Sequence, residues 1–175
     1  GDPFKNINWK AFARTGDLMI NEKCRDAVTD LYIILDSRDI ARIGTVLKNP
    51  LEMGTVAAAS LASFFLKRRD SVALTIYDEK LSFLPPDTGD KQYFKILSSL
   101  AGVAPKGAMP LQAVTNSLAA RFSRGSPVFI ISSCEGDGTV PAAVRDLVGR
   151  GHEVTVLSPS SIDFERLVSR IPRMS

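Results

Sequence analysis

Histidine and cysteine are scarce in this chain, and their scarcity removes whole classes of chemistry. Among 175 residues there is one histidine, His152, and there are two cysteines, Cys24 and Cys134. A single imidazole cannot build a His-rich zinc site, and any Ser-His-Asp arrangement would have to use His152. The cysteines stand far apart, with neither C-x-x-C nor zinc spacing, so a reducing compartment is expected. Long apolar runs are missing as well. The longest, Val56 to Leu66, is interrupted by Ser60 and Ser63 and falls short of the ~20 residues of a membrane span. The opening Gly1-Asp2-Pro3 and the charged residues after it do not read as a secretory leader. No G-x-x-x-x-G-K-[ST], G-x-G-x-x-G or G-x-S-x-G motif occurs, nor any internal repeat or low-complexity tract. Neither sign of charge dominates. Lys and Arg number 22 against 19 Asp and Glu, a net of +3, with no basic stripe interleaved with aromatics.

What is present is an α/β pattern. The chain is 45% apolar and 23% charged, enough for one globular domain that buries roughly 70% of its unfolded surface. Leu31 to Leu35 has no polar alternation and reads as a strand buried on both faces. A helix follows, with Met53, Val56, Ala57, Ser60, Leu61, Phe64 and Phe65 at helical steps and Lys67-Arg68-Arg69 at its end. Val72 to Tyr77 is the second strand. Leu81 to Leu84 is the third, entered by a turn too short for a crossover, hence antiparallel, and stopped by Pro85-Pro86. Asp90 to Leu100 predicts a helix with Tyr93, Leu97 and Leu100 on one face. Another begins near Pro110, with Leu111, Val114, Leu118 and Phe122 as its stripe. Pro127 to Ile131 and Val154 to Leu157 read as strands around a helix bearing Val140, Ala143, Val144, Leu147 and Val148, ended by Gly149 and Gly151. Ser160-x-x-Asp163 opens a last helical pattern. The order β-α-β-β-α-α-β-α-β-α implies three layers: a mainly parallel sheet with helices on both faces. Residues 1–29 stand outside it as an N-terminal arm, and 30–175 form the domain.

In such sheets ligands bind beyond the C-terminal strand ends, where the strand order reverses. The first strand runs into Asp36-Ser37-Arg38-Asp39, and the fourth into Ser132-Ser133-Cys134-Glu135-Gly136-Asp137-Gly138. The loop Lys106-Gly107-Ala108-Met109 offers a third wall. Asp36, at a strand end, is the sharpest single feature.

Asp36-Ser37-Arg38-Asp39-Ile40 resembles the D-x-S-x-S motif of von Willebrand factor A-type domains, and Gly107-Ala108-Met109-Pro110-Leu111 is similar to their G-x-T-P-L segment. Ile131-Ser132-Ser133 stands where that family usually shows I-S-D or T-D-G. The arm is more specific. Gly1-Asp2, then Lys5-x-Ile7-x-Trp9 and Ala13-Arg14, resembles the G-D-x-x-R-x-I-x-W-x(3)-A-R signature of the DUF58 family, with Lys5 keeping the charge of the usual arginine. The resemblance implies a von Willebrand A-like sheet with strand order 3-2-1-4-5 and strand 3 antiparallel. It also implies a longer parent protein, commonly with N-terminal membrane helices and a cytoplasmic A-like domain. The partner it implies is a MoxR-type AAA+ ATPase.

The same resemblance locates a metal position, and here its donors are largely replaced. Such a site needs an oxygen-rich, net-negative ring around a hard divalent cation. Only Asp36 keeps its oxygen. Arg38 and Ile40 stand at the two serine positions, Met109 at the threonine and Ser133 at the second aspartate. One carboxylate does not neutralise a divalent ion, and the Arg38 guanidinium repels one or pairs with Asp36. The expectation is no metal and no cofactor. A rebuilt oxygen cluster from Asp39, Glu135 and Asp137 is the alternative.

Three functions compete. The first is a non-enzymatic protein–protein interaction module using Asp36, Ser37, Arg38, Asp39, Met109, Ser132, Ser133 and Glu135, with a MoxR-type ATPase as partner. The second is a hydrolase in which Asp36 serves as nucleophile or general base, with or without a metal on the loop acids. It lacks a visible second catalytic group. The third is nucleic-acid binding, suggested by the pI near 9 and opposed by the interspersed acids. The first is the expected one: no catalytic residues, no nucleic acid, no membrane insertion by this segment, and a cytoplasmic setting.

Overall fold

The computed structural model describes residues 29–38, 50–134 and 136–158. Among these residues five strands form one sheet: β1 (Asp30–Asp36), β2 (Ser71–Tyr77), β3 (Leu81–Asp87), β4 (Val128–Ile131) and β5 (Val154–Leu157), in the order β3-β2-β1-β4-β5. All neighbours are parallel except β2 and β3. This is the von Willebrand A-like arrangement that the resemblance implied. Among the described residues four α-helices cover the sheet: α1 (Pro50–Lys67), α2 (Gly89–Ala101), α3 (Leu111–Leu118) and α4 (Val140–Gly149). The arm with Gly1, Asp2, Lys5, Ile7, Trp9, Ala13 and Arg14, the acids Asp39 and Glu135, and the helix expected from Ser160 lie outside the described residues. Among the described residues no helix is long and apolar enough to cross a membrane.

Strand alternation sorts the core into two halves. Leu31, Ile33 and Leu35 point to the α1–α2 side, with Phe65, Leu74 and Ile96. Tyr32 and Ile34 point to the α3–α4 side, with Tyr77, Val114, Ile130 and Leu147. Asp36 therefore falls on the α3–α4 side, as the next step of the Tyr32–Ile34 series.

Three expectations need correction. In α1, Ala57, Leu61, Phe64 and Phe65 of the expected stripe are buried, but so are Leu51, Gly54, Ala58, Ala62 and Leu66, while Met53 and Ser60 are half-buried and Val56 is 47% exposed. Small residues let the helix lie close to the sheet: a Cβ on Gly54 would sit 3.0 Å from the Leu35 Cδ1. In α2 the buried positions are Gln92, Ile96 and Leu100, with Tyr93 and Leu97 half-buried. Gln92 is tolerated inside because its amide donates to the carbonyls of Val72 (2.7 Å) and Pro85 (2.9 Å). The third correction concerns β3, which does not stop at Pro85-Pro86 but continues to Asp87. As an edge strand it can spare the two missing N–H groups, and a register shift between Val72 and Leu74 absorbs them.

Gly149 and Gly151 do end α4. Gly151 adopts φ +91°, its amide bonds the Val148 carbonyl, and the His152 amide bonds the Leu147 carbonyl, a Schellman close. His152 is buried, its Nδ1 2.8 Å from the Ser126 carbonyl oxygen. It serves this junction and lies at the strand end opposite Asp36.

Candidate functional site: a buried guanidinium between two aspartates

β1 and β4 are neighbours, with Leu35 opposite Ile131. Their C-terminal ends thus bring Asp36 and Ser132 side by side at the point where the strand order reverses. The chain turns sharply after Asp36, and its carboxylate accepts the Arg38 amide at 3.0 Å. That turn swings the Arg38 side chain back over the strand end.

Arg38 is 1% exposed, and its guanidinium meets two carboxylates. Nε donates to Asp36 Oδ1 (2.8 Å) and Nη2 to Asp36 Oδ2 (2.7 Å), a bidentate fork. Nη1 donates to Asp137 Oδ2 (2.6 Å) and to the Met109 carbonyl (3.2 Å). The Tyr77 ring lies against the cation, 4.9 Å from Cζ to the centroid. Each carboxylate is completed by uncharged donors. The Ser132 hydroxyl donates to Asp36 Oδ2 (2.7 Å). Asp137 Oδ2 accepts the Leu111 amide (2.8 Å), and its Oδ1 accepts the Thr139 amide (2.9 Å) and hydroxyl (2.6 Å). Every one of the four carboxylate oxygens thus accepts two hydrogen bonds.

Asp137 also caps α3 across a loop boundary. Pro110 at the head of α3 makes no side-chain cap bond. The orphan amides of Leu111 and Gln112 go instead to the Asp137 carboxylate and the Thr139 hydroxyl (3.2 Å). One aspartate therefore ties the first turn of α3, the approach to α4 and the cation after β1 together. Expected only as one of three loop acids of an alternative oxygen cluster, it is in fact buried, 9% exposed.

The other expected residues fall around this cluster. Ser37 is buried, and its hydroxyl donates to the Tyr77 carbonyl (3.2 Å). Met109 takes part through its carbonyl, while its side chain is half-buried against the α3–α4 core. Ser133 is half-buried in the loop beyond β4. The loop 106–109 is stitched down by the Lys106 amide to the Ser37 carbonyl (3.1 Å) and the Met109 amide to the Asp78 carbonyl (3.0 Å). Asp137, expected only in the alternative oxygen cluster, and Thr139 and Tyr77 were absent from the expected interaction set. The signal for the first two was Asp137-Gly138-Thr139-Val140-Pro141, an acid two residues ahead of a threonine at a Pro-marked helix start.

Charge in this pocket is locked rather than poised. Burial opposes the Arg38 charge, but the hydrogen bonds and charge of Asp36, with Tyr77 and Asp137, outweigh it and raise the guanidinium pKa still further. Burial, then the Asp36 charge, pushes the Tyr77 phenol well above its usual value. Its hydroxyl is buried without a hydrogen-bond partner among the described residues. Burial pushes the Cys134 thiol up to about 11, against the lowering effect of Ser132, so it stays protonated near neutrality and is a poor nucleophile.

For Asp137 burial works against the charge, but Thr139, Leu111 and Arg38 together hold its pKa below the ordinary carboxylate value. A depressed folded-state pKa gives stability that is complete above the unfolded value of about 3.9 and fades as pH falls through the folded one. Asp137→Asn should therefore be less stable than wild type at pH 7, and urea melts should show that gap closing between about pH 4 and pH 2. A gap of constant size across that range would mean that the Asp137 charge does not matter.

The family model described as "Protein of unknown function DUF58" matches residues 1–160 of the chain. Two solved structures from Bacteroides superpose with TM-scores of 0.61. One is an aerotolerance-related membrane protein from Bacteroides fragilis, crystallised with multiple mutations to serine. It is 22% identical, over 74% of this chain and 67% of that one. The other, BatB from Bacteroides thetaiotaomicron, is 18% identical over 74% of this chain and 66% of that one. The chain thus spans about two thirds of either. The SpRpn10 VWA domain matches at 10% identity and TM-score 0.54, over 85% of this chain and all of that one. At these identities the likeness is one of fold. No curated protein compared with the chain matches it.

Proposed function

The chain belongs to the DUF58 family, and from that premise we propose that its A-like domain is a non-enzymatic protein-interaction module. The binding surface is the end of the sheet above β1 and β4, and the position of an adhesion-site metal is taken by the domain's own guanidinium. One observation carries this reading: Arg38, buried between Asp36 and Asp137, with all four carboxylate oxygens already engaged. A divalent cation at Asp36 would have to displace a cation that is covalently part of the site. The same engagement argues against catalysis. A nucleophile or general base must reach its substrate with a free lone pair, and Asp36 is 3% exposed with both oxygens occupied. Among the described residues, no group of three His, Cys, Asp or Glu side chains is placed to hold a metal.

The partner proposed is a MoxR-type AAA+ ATPase, which rests on the family resemblance. The parent protein is proposed to be membrane-anchored through segments outside this chain, with this domain in the cytoplasm. The fragment's part is to present a preformed, metal-independent surface around Lys106, Met109 and Ser133. Two titrations test the proposal. Calorimetry with Mg²⁺ and Mn²⁺ should be silent, and a MoxR-type ATPase of the same organism should bind equally with or without EDTA. Met109→Ala and Lys106→Glu should weaken that binding by about tenfold or more, the range for residues central to an interface. Micromolar Mg²⁺ binding abolished by Asp36→Ala would overturn the metal-free reading and return the hydrolase alternative. Failure of the ATPase to bind, with the calorimeter silent, would overturn the choice of partner.

A further inference from the structure

The end of the sheet opposite this site collects cations that are scattered along the sequence. Three come from the last turn of α1 and the turn after it: Lys67, Arg68 and Arg69. Arg121 and Arg124 lie between α3 and β4, and Arg150 caps α4 just before β5. All six are exposed. They gather because α1, α3 and α4 return antiparallel to the parallel strands, so their C-termini arrive where β2, β4 and β5 begin. The starts of β2, β1, β4 and β5 span three strand spacings, about 14 Å. The cations rise from both faces of the sheet around that line, since α1 lies on one side and α3 and α4 on the other.

None of the six is in an ion pair among the described residues. Arg68 lies over the Phe64 ring, 5.4 Å from Cζ to the centroid, which leaves its N–H groups available at the ring's outer side. Of the acids interspersed here, Asp30 takes the Ser123 hydroxyl and Asp70 is half-buried, while Glu153 and Asp146, one turn before Arg150, are exposed. Asp87 and Asp90 bound the face on the β3 side.

We propose that this end of the sheet, carrying Lys67, Arg68, Arg69, Arg121, Arg124 and Arg150, docks on an anionic lipid bilayer. The match is one of charge and shape. A broad end with separated, exposed cations suits a laterally fluid anionic surface, where each Lys or Arg adds to the attraction. Nucleic acid is the poorer fit: the rings nearest these cations in the chain, Phe64 and Phe122, are buried and offer nothing for bases to stack on. The chain also enters β1 at this end, at Asp30. The inference stands apart from the partner proposed above, which occupies the other end.

The test is cosedimentation of the 175-residue chain with phosphatidylcholine vesicles containing about 30% phosphatidylserine, beside pure phosphatidylcholine vesicles and a random DNA duplex. Binding to the anionic vesicles alone, lost between about 0.05 and 0.5 M salt, is expected. Arg121→Glu with Arg124→Glu should weaken it at least about tenfold. Lys80→Glu with Lys106→Glu, an equal change of charge at the far end, should leave it within about twofold, with circular dichroism confirming that both pairs fold. Equal weakening by the two pairs would overturn the proposal, because net charge rather than this face would then govern binding. Absence of vesicle binding, or tighter binding to DNA, would overturn it as well.

Discussion

Arg38→Ala should lose about 3–5 kcal/mol of folding stability, the cost of leaving a buried charge without its partner. Its size follows from what stays behind. Asp36 and Asp137 would remain as two buried carboxylates, with only Ser132, Thr139 and backbone amides to compensate them. The pH dependence should weaken as well. In the wild type the depressed Asp137 pKa makes stability fall on acidification. Without the guanidinium, only Thr139 and Leu111 hold the Asp137 carboxyl down against burial, so its pKa rises toward the unfolded value and less stability is lost between about pH 4 and pH 2. Urea melts at pH 7 and through that acid range read both effects. Arg38→Lys should fall between the two proteins, since an ammonium keeps the charge but cannot bridge two carboxylates as a planar fork. Millimolar Mg²⁺ should raise the melting temperature of Arg38→Ser and leave the wild type unmoved. An Arg38→Ala protein as stable as wild type, with an unchanged pH profile, would show that the cluster is not what organises this end of the sheet.

The sheet could be read from the sequence because its strands are short apolar runs separated by helical periodicity, and a three-residue turn leaves β3 no choice but to run antiparallel. Asp36 and Arg38 were legible as a pair for a similar local reason: two residues apart, past a strand end, they meet whatever the tertiary structure does. Asp137 was not. Its partners are at Arg38 and Leu111, 99 and 26 residues away, and only the packing of two loops brings them together. Gln92 was missed because a polar residue on a helix reads as exposed until its partners are known. Here the partners are carbonyls that the register shift in β2–β3 turns toward it. The basic end was only partly visible for the same reason. Lys67-Arg68-Arg69 stands out as a run, but Arg121, Arg124 and Arg150 lie far from it in the chain, and only the return of α1, α3 and α4 to the starts of β2, β4 and β5 assembles them. Local chemistry was available to the sequence reading, and chemistry made by loop-to-loop contact was not.

Gly107 is the position where one added carbon should cost most. The residue adopts φ +76°, and a Cβ there would meet the Glu79 backbone, 2.2 Å from the nitrogen and 2.5 Å from Cα. No rotamer change can relieve a contact with backbone. Gly107→Ala must carry the left-handed strain of about 1–2 kcal/mol and also lift the loop. Lifting breaks the bonds from the Lys106 amide to Ser37 and from the Met109 amide to Asp78, each about 1 kcal/mol. The expected loss is about 3 kcal/mol in a urea melt. Gly138→Ala is the control: nothing lies within 4 Å of its added Cβ, and its φ is not in the left-handed region, so its melt should stay within about 0.5 kcal/mol of wild type. The loop also holds the Met109 carbonyl against Arg38. Gly107→Ala should therefore lower the affinity of the proposed partner even under conditions where the domain is still folded. If the variant melts like wild type, the loop is not pressed onto Glu79, and the proposed binding surface would lose the wall that Lys106 and Met109 form.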